Sequence, residues 1–158
     1  MFRPTVAYAT VNGSTAKLAR RVADRLGGGC PPIDVADLDT LDRLADYSHV
    51  VLLCPTYGDE ELPPPIDAKA RACRRFPPHY VVMEAGNYYG YEAYSFGALR
   101  MLRHYFEAGG SRAFAPHASI DTMPRVDRAT FDRWVSLVAV ALDMARMADG
   151  GLDRAGAA

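Results

Sequence analysis

Short apolar runs and amphipathic stretches alternate along the chain. Thr5–Ala9 is a β-rich run. Ser14–Leu26 follows, with Leu18, Val22 and Leu26 at i, i+4 and i+8 and arginines on the other side, as in a helix with one buried face. Glycines 27 to 29 stop it. Ile33–Val35 reads as a second strand and Leu38–Leu44 as a short helix or turn. His49–Cys54 contains the unbroken run Val50-Val51-Leu52-Leu53, the pattern of a central strand covered on both faces. Ile66–Phe76 is the next helix, basic on one side through Lys69, Arg71, Arg74 and Arg75. Tyr80–Glu84 is the fourth strand, and Phe96, Leu99, Leu102 and Phe106 mark a helix that Gly109-Gly110 ends. Arg112–Ile120 reads as an edge strand broken by Pro116. Phe131, Trp134, Val135, Val138, Leu142 and Ala145 form one face of a final helix. Residues 1–148 are expected to make one domain, and the Gly/Ala-rich 149–158 a flexible tail.

Strands alternating with helices through short connections predict an α/β fold, a five-stranded parallel sheet covered on both faces with right-handed crossovers. Two strand orders satisfy this: 2-1-3-4-5, or half of a dinucleotide fold. In both, ligands bind beyond the C-terminal strand ends, where the order reverses. In the first order, strands one, three and four are neighbours. The loops that follow them then meet at one place, and all three are unusual.

Composition narrows the class. The 158 residues are 49% hydrophobic and 23% charged, ordinary for a globular domain, and the net charge of −1 advertises neither nucleic acid nor an anionic membrane. No run reaches the roughly 18 apolar residues of a membrane span. The chain enters a strand within five residues, leaving no room for a signal peptide, so a cytoplasmic location is expected. Cys30, Cys54 and Cys73 are odd in number with no Cys-x-x-Cys spacing, and the four histidines form no ligand pair at helical spacing. Neither a disulfide framework nor a metal site is expected.

The first loop, Thr10-Val11-Asn12-Gly13-Ser14-Thr15, lies between strand and helix. Unpaired helix N–H groups, the helix dipole and three hydroxyls suit a phosphate monoester. It is not a nucleoside-triphosphate loop, because no lysine follows the glycine. The plain alternative is a strand-to-helix turn with Ser14 as N-cap. The second loop, Pro55-Thr56-Tyr57-Gly58-Asp59, sets a tyrosine beside a glycine, able to lie on a planar ring or simply to flank a turn. The third, Gly86-Asn87-Tyr88-Tyr89-Gly90-Tyr91, carries three tyrosines, either half of an aromatic sandwich or a patch for a protein partner.

These motifs carry a family resemblance. Thr10-x-Asn12-Gly13-x-Thr15 resembles the flavodoxin phosphate loop T-x-T-G-x-T, with Asn12 in place of the middle threonine. Pro55–Leu62 resembles P-T-W-x-x-G-E-L, and Gly86–Tyr91 resembles G-D-Q-x-G-Y, with Asn87 at the aspartate. The resemblance spans nearly the whole chain and implies a short-chain flavodoxin-like three-layer sandwich of order 2-1-3-4-5. It implies FMN as cofactor, held by Thr10, Val11, Asn12, Gly13, Ser14, Thr15, Pro55, Thr56, Tyr57, Gly58, Asp59, Gly86, Asn87, Tyr88, Tyr89 and Tyr91, with Tyr57 and Tyr91 on the two faces of the ring and no catalytic residue as such. The implied role is a monomeric one-electron carrier meeting a reductase donor and an oxidoreductase acceptor by transient contact. Asp59, Glu60, Glu61 and Asp67 are a candidate acidic docking rim. Alternatives within reach of the same residues are an activator dedicated to one enzyme, as for ribonucleotide reductase, an FMN-free interaction domain, and a quinone or azo-compound reductase.

Overall fold

In a computed structural model, which describes residues 1–27, 29–57, 61–86 and 97–155, the strands are β1 (Pro4–Tyr8), β2 (Ile33–Asp34), β3 (His49–Pro55), β4 (His79–Gly86), β5 (Arg112–Ala113) and β6 (Ala118–Asp121). The helices are α1 (Ser14–Arg25), α2 (Pro64–Ala72), α3 (Gly97–Ala108) and α4 (Arg128–Ala155). The sheet order is β2-β1-β3-β4-β5, with β6 also pairing with β4 and every ladder parallel. This is the 2-1-3-4-5 arrangement, with its fifth position shared by two short strands.

Both apolar runs are central because both of their faces are covered. Every residue from His49 to Cys54 and from Tyr80 to Ala85 is buried. Alternate side chains enter different cores. Val51, Leu53, Val81 and Met83 pack under α1 and α4, meeting Leu18, Val22, Phe131, Trp134 and Val138. Val50, Leu52, Tyr80 and Val82 pack under α2 and α3, meeting Ile66, Ala70, Leu102 and Phe106.

Four boundaries differ from the sequence pattern, each for a tertiary reason. The expected edge strand 112–120 is split: β5 pairs with the start of β4 and β6 with its end. Between them lies Pro116, which cannot donate to a ladder, and the His117 ring takes over there, its Nδ1 accepting from the Val82 N–H at 3.0 Å. The segment read as a helix or turn over 38–44 is two 3₁₀ segments, Val35–Asp37 and Leu41–Asp46, started by the side chains of Asp34 and Thr40. Helix α2 starts at Pro64, where proline is tolerated, and ends at Ala72 rather than Phe76. Asp42 Oδ1 accepts from the backbone N–H groups of Arg74 and Arg75 at 2.7 and 2.8 Å, diverting them from the helix. Finally, α4 carries on through 149–155, the stretch expected to begin a tail, and Asp149 is tied to the chain start by the Phe2 N–H at 2.5 Å.

Candidate functional site

The site is set by the order of the strands. β1 lies beside β3, with Tyr8 opposite Leu53, and β3 lies beside β4, with Cys54 opposite Glu84 and Pro55 opposite Ala85. Their C-terminal ends therefore sit side by side, and hydrogen bonds continue past the strands into the loops. Ala9 N–H reaches Leu53 O at 2.9 Å, and Thr56 N–H reaches Ala85 O at 3.3 Å. The first loop, Thr10–Thr15, the start of the second, Pro55–Tyr57, and the start of the third, Gly86, are thus brought to one edge. Gly58, Asp59, Asn87, Tyr88, Tyr89 and Tyr91 lie outside the described residues.

The first loop is internally braced. Thr10 Oγ1 accepts from the Gly13 N–H at 2.9 Å, and Asn12 Oδ1 accepts from the Ser14 N–H at 3.2 Å and from the Ser14 hydroxyl at 2.8 Å. Asn12 thereby shapes the turn. The capping position is Gly13, not Ser14, at φ +83°, and no side chain caps the helix. Glycine adopts this left-handed conformation without the strain another residue carries. The plain reading, Ser14 as N-cap, is therefore not what the structure contains. With the Ser14 N–H taken by Asn12, the N–H groups of Thr15 and Ala16 in the first turn of α1 have no side-chain cap, and the positive end of the helix dipole lies behind them. Thr15 is buried, while Val11, Asn12 and Ser14 are exposed and Thr10 and Gly13 are partly so.

The second loop closes more tightly than its sequence suggests. Tyr57 and Glu61 exchange two backbone hydrogen bonds, each 2.8 Å, as an isolated antiparallel bridge. The Tyr57 side chain is 43% exposed, unusual for a large aromatic at a strand end. Of the acidic rim, Glu61 is exposed but Asp67 is not a rim charge. Asp67 accepts from Arg71 Nε at 2.9 Å and from the Tyr105 hydroxyl at 3.3 Å, while Lys69 turns away to the carbonyls of Val35 and Ala36.

Two groups that sequence patterns did not single out hold the ends of the third loop. Glu84 is wholly buried at the end of β4, and its Oε2 accepts from the Leu99 N–H at 2.5 Å. A carboxylate at this helix start matches the dipole of α3. The Thr56 hydroxyl approaches the neighbouring Ala98 N–H at 3.5 Å, so the second loop also reaches α3. At the other end, Gly86 O accepts from both the N–H and the hydroxyl of Thr122, at 2.7 and 3.0 Å. A fourth segment, after β6, therefore belongs to the site. The signals available were a lone glutamate inside an apolar strand and an Asp-Thr pair before Met123-Pro124.

Cys54, next to Glu84, is buried, and burial followed by the Glu84 charge pushes its thiol well above the usual range. It is not a reactive cysteine. Among the described residues no cluster of three or more His, Cys, Asp or Glu side chains is placed to hold a metal ion, and no helix is long and apolar enough to cross a membrane.

Comparison with known proteins agrees with this geometry. A family model described as Flavodoxin matches residues 6–134. Similar solved structures include a Streptococcus pneumoniae flavodoxin at 18% identity and TM-score 0.73, covering 89% of this chain and 97% of that one. Oxidised flavodoxin 1 of Bacillus cereus has 16% identity and TM-score 0.69 with the same coverage. A Fusobacterium nucleatum flavodoxin mutant bound to flavin mononucleotide has 15% identity and TM-score 0.67, covering 87% of this chain and 94% of that one. No curated protein sequence matches the chain. With the family model spanning all three loops and ending in the second turn of α4, the chain belongs to the flavodoxin family.

Proposed function

We propose that the three loops bind FMN and that the protein is a one-electron carrier between a reductase and an acceptor oxidoreductase. The observation that carries this is the first loop: an uncapped helix start behind a left-handed Gly13, at the edge where β1, β3 and β4 end together. A phosphate monoester fits there because the first-turn N–H groups beyond Ser14, those of Thr15 and Ala16, lack a side-chain acceptor, and an added Cβ at Gly13 would meet nothing within 4 Å, so the approach is open. The FMN seen in the Fusobacterium nucleatum relative supports the same ligand.

When bound, FMN supplies single-electron redox chemistry. The chain's own residues hold and tune it. Thr10, Asn12, Ser14 and Thr15 surround the phosphate, with Asn12 keeping the turn in shape. Tyr57 offers an exposed ring to one face of the isoalloxazine, and the family resemblance gives Tyr91 the other face and Asn87 the ring N3–H. Gly58 is the residue whose peptide can turn over at low strain. Thr56 and Glu84 fix the start of α3 and so the exit of the third loop.

The test is spectroscopic. Purified protein is expected to be yellow and to release flavin on denaturation, and the apoprotein to quench FMN fluorescence at one site per chain. Thr15→Ala should weaken that binding. A colourless protein whose apo form leaves FMN fluorescence unchanged would mean an FMN-free interaction domain instead.

A further inference from the structure

The outer face of α4 presents Leu137, Val140, Met144 and Met147 at 47%, 59%, 68% and 78% exposure. Their spacing of three, four and three residues puts them on one stripe, the pattern by which one helix packs against another. The stripe runs into a groove of about 640 Å³ whose wall is Ala141, Ala145 and Ala148 of α4 and whose floor holds Phe2, His49 and Phe114. Met1, fully exposed, stands on its rim. We propose that this face is the interface of a homodimer, with α4 packed against α4 of a second copy.

Three observations select a second copy. A symmetric interface places like against like, so its knobs and holes must occur on the same surface, as methionines and an alanine-lined groove do here. Its rim cannot be of a single charge sign. The charges around the stripe and groove are of both signs, Arg133, Asp143 and Arg146 on α4 and Arg112 and Asp149 at the groove, so no surface of a single charge finds a complementary field there. The area is also of the right order. At roughly 100 Å² per large apolar side chain, the four α4 residues and Met1 expose about 350 Å², close to half of the roughly 800 Å² each partner contributes to a standard interface, before the groove is counted. Without the groove, a patch of that size falls within the roughly 300–600 Å² of the largest apolar patch on a monomer, a size class that is often functional.

The arrangement leaves the FMN site open. The stripe runs from the middle of α4 to near Asp149, which meets Phe2 just before β1, at the end of the sheet opposite the three loops. Dimerisation and electron transfer are therefore compatible, and the proposal stands whether or not FMN is bound. It departs from the monomer expected from sequence.

Sedimentation equilibrium of the full chain, from low micromolar to sub-millimolar concentration, is expected to show twice the chain mass at the upper end. Val140→Glu and, separately, Met147→Lys should reduce it to the monomer mass while circular dichroism stays unchanged. Both residues are more than half exposed, so at least one variant is expected to fold. A wild type that stays monomeric throughout overturns the proposal. So does a dimer that both folded variants retain, or a monomer that floats with anionic vesicles through the same residues.

Discussion

Glu84→Ala is the most informative single change to the third-loop anchor. The Glu84 side chain is wholly buried, and its carboxylate accepts the Leu99 N–H at 2.5 Å, at the first turn of α3. Removing it leaves that buried N–H unpaired, which costs about 1–3 kcal/mol. The one lost methylene group, Cγ, adds roughly 0.8 kcal/mol of apolar burial. A loss of about 2–4 kcal/mol is expected, a large share of the roughly 5–15 kcal/mol by which a domain is stable. Glu84→Gln keeps an acceptor oxygen of the same reach and should cost about 1 kcal/mol or less. Urea unfolding of the apoprotein measures both. FMN titration should show the alanine variant binding about tenfold more weakly, close to 1.4 kcal/mol, because the loop exit is loosened. If alanine and glutamine variants were equally stable and bound FMN as the wild type does, Glu84 would not be an anchor at all.

Other expectations are narrower. His49 stacks on His79 at 4.7 Å, and burial, followed by the neighbouring His79 charge, lowers its pKa to about 4; burial also lowers that of His117. Both histidines bind protons more tightly when unfolded, near pH 6.5, so their stability contribution is complete above that pH and is lost as the pH falls towards the folded value. After allowance for solvent screening, His49 should account for about 1–2 kcal/mol of the loss between neutral pH and pH ~4.5, and His49→Asn should flatten the denaturation profile over that window. An alanine at Gly109 would place Cβ 2.1 Å from Phe76 Cδ2, whose ring packs edge-on to Phe106, and should cost about 1–3 kcal/mol by urea unfolding. Asn87→Asp should lower the potential of the second electron, read by redox titration. A unit charge acting through an effective dielectric near 20 is on the order of 1–2 kcal/mol, or roughly 40–90 mV for one electron. No shift, or an upward one, would contradict the charge argument.

The central place of β3 and β4 was legible because they are unbroken apolar runs, which only a strand covered on both faces tolerates. The order 2-1-3-4-5, over half of a dinucleotide fold, came from the family resemblance. Helix α1 was legible because Leu18 and Val22 sit at the helical period with arginines opposite, and both are buried. In the order 2-1-3-4-5 the loops after β1, β3 and β4 meet at one edge. What stayed hidden was decided by contacts between distant segments. No local pattern tells that Asp42 will take the N–H groups of Arg74 and Arg75 and end α2. None tells that Asp67 will be occupied by Arg71 and Tyr105 rather than facing a partner. Asn12, a departure from the family motif, is explained by the structure: its side-chain oxygen braces the turn, and it need not act on the ligand alone.

The site divides into a part that recognises a phosphate and a part that positions the third loop, and these can be separated by chemistry. The first loop offers uncapped helix N–H groups and the buried Thr15, which matter to a ligand only if it carries an anion there. The second part is mechanical. Gly86 O is held twice by Thr122 and the start of α3 by Glu84, so the segment from 87 to 96 is joined to two fixed ends. Riboflavin, which is FMN without the phosphate, distinguishes the two. Thr15→Ala should weaken FMN binding and leave riboflavin binding nearly unchanged. Thr122→Val, which removes one of the two donors to Gly86, should weaken both ligands by the same factor, about 0.5–1.5 kcal/mol for a single hydrogen bond. Equal losses for both ligands on Thr15→Ala would place the phosphate elsewhere and return the first loop to a plain helix start.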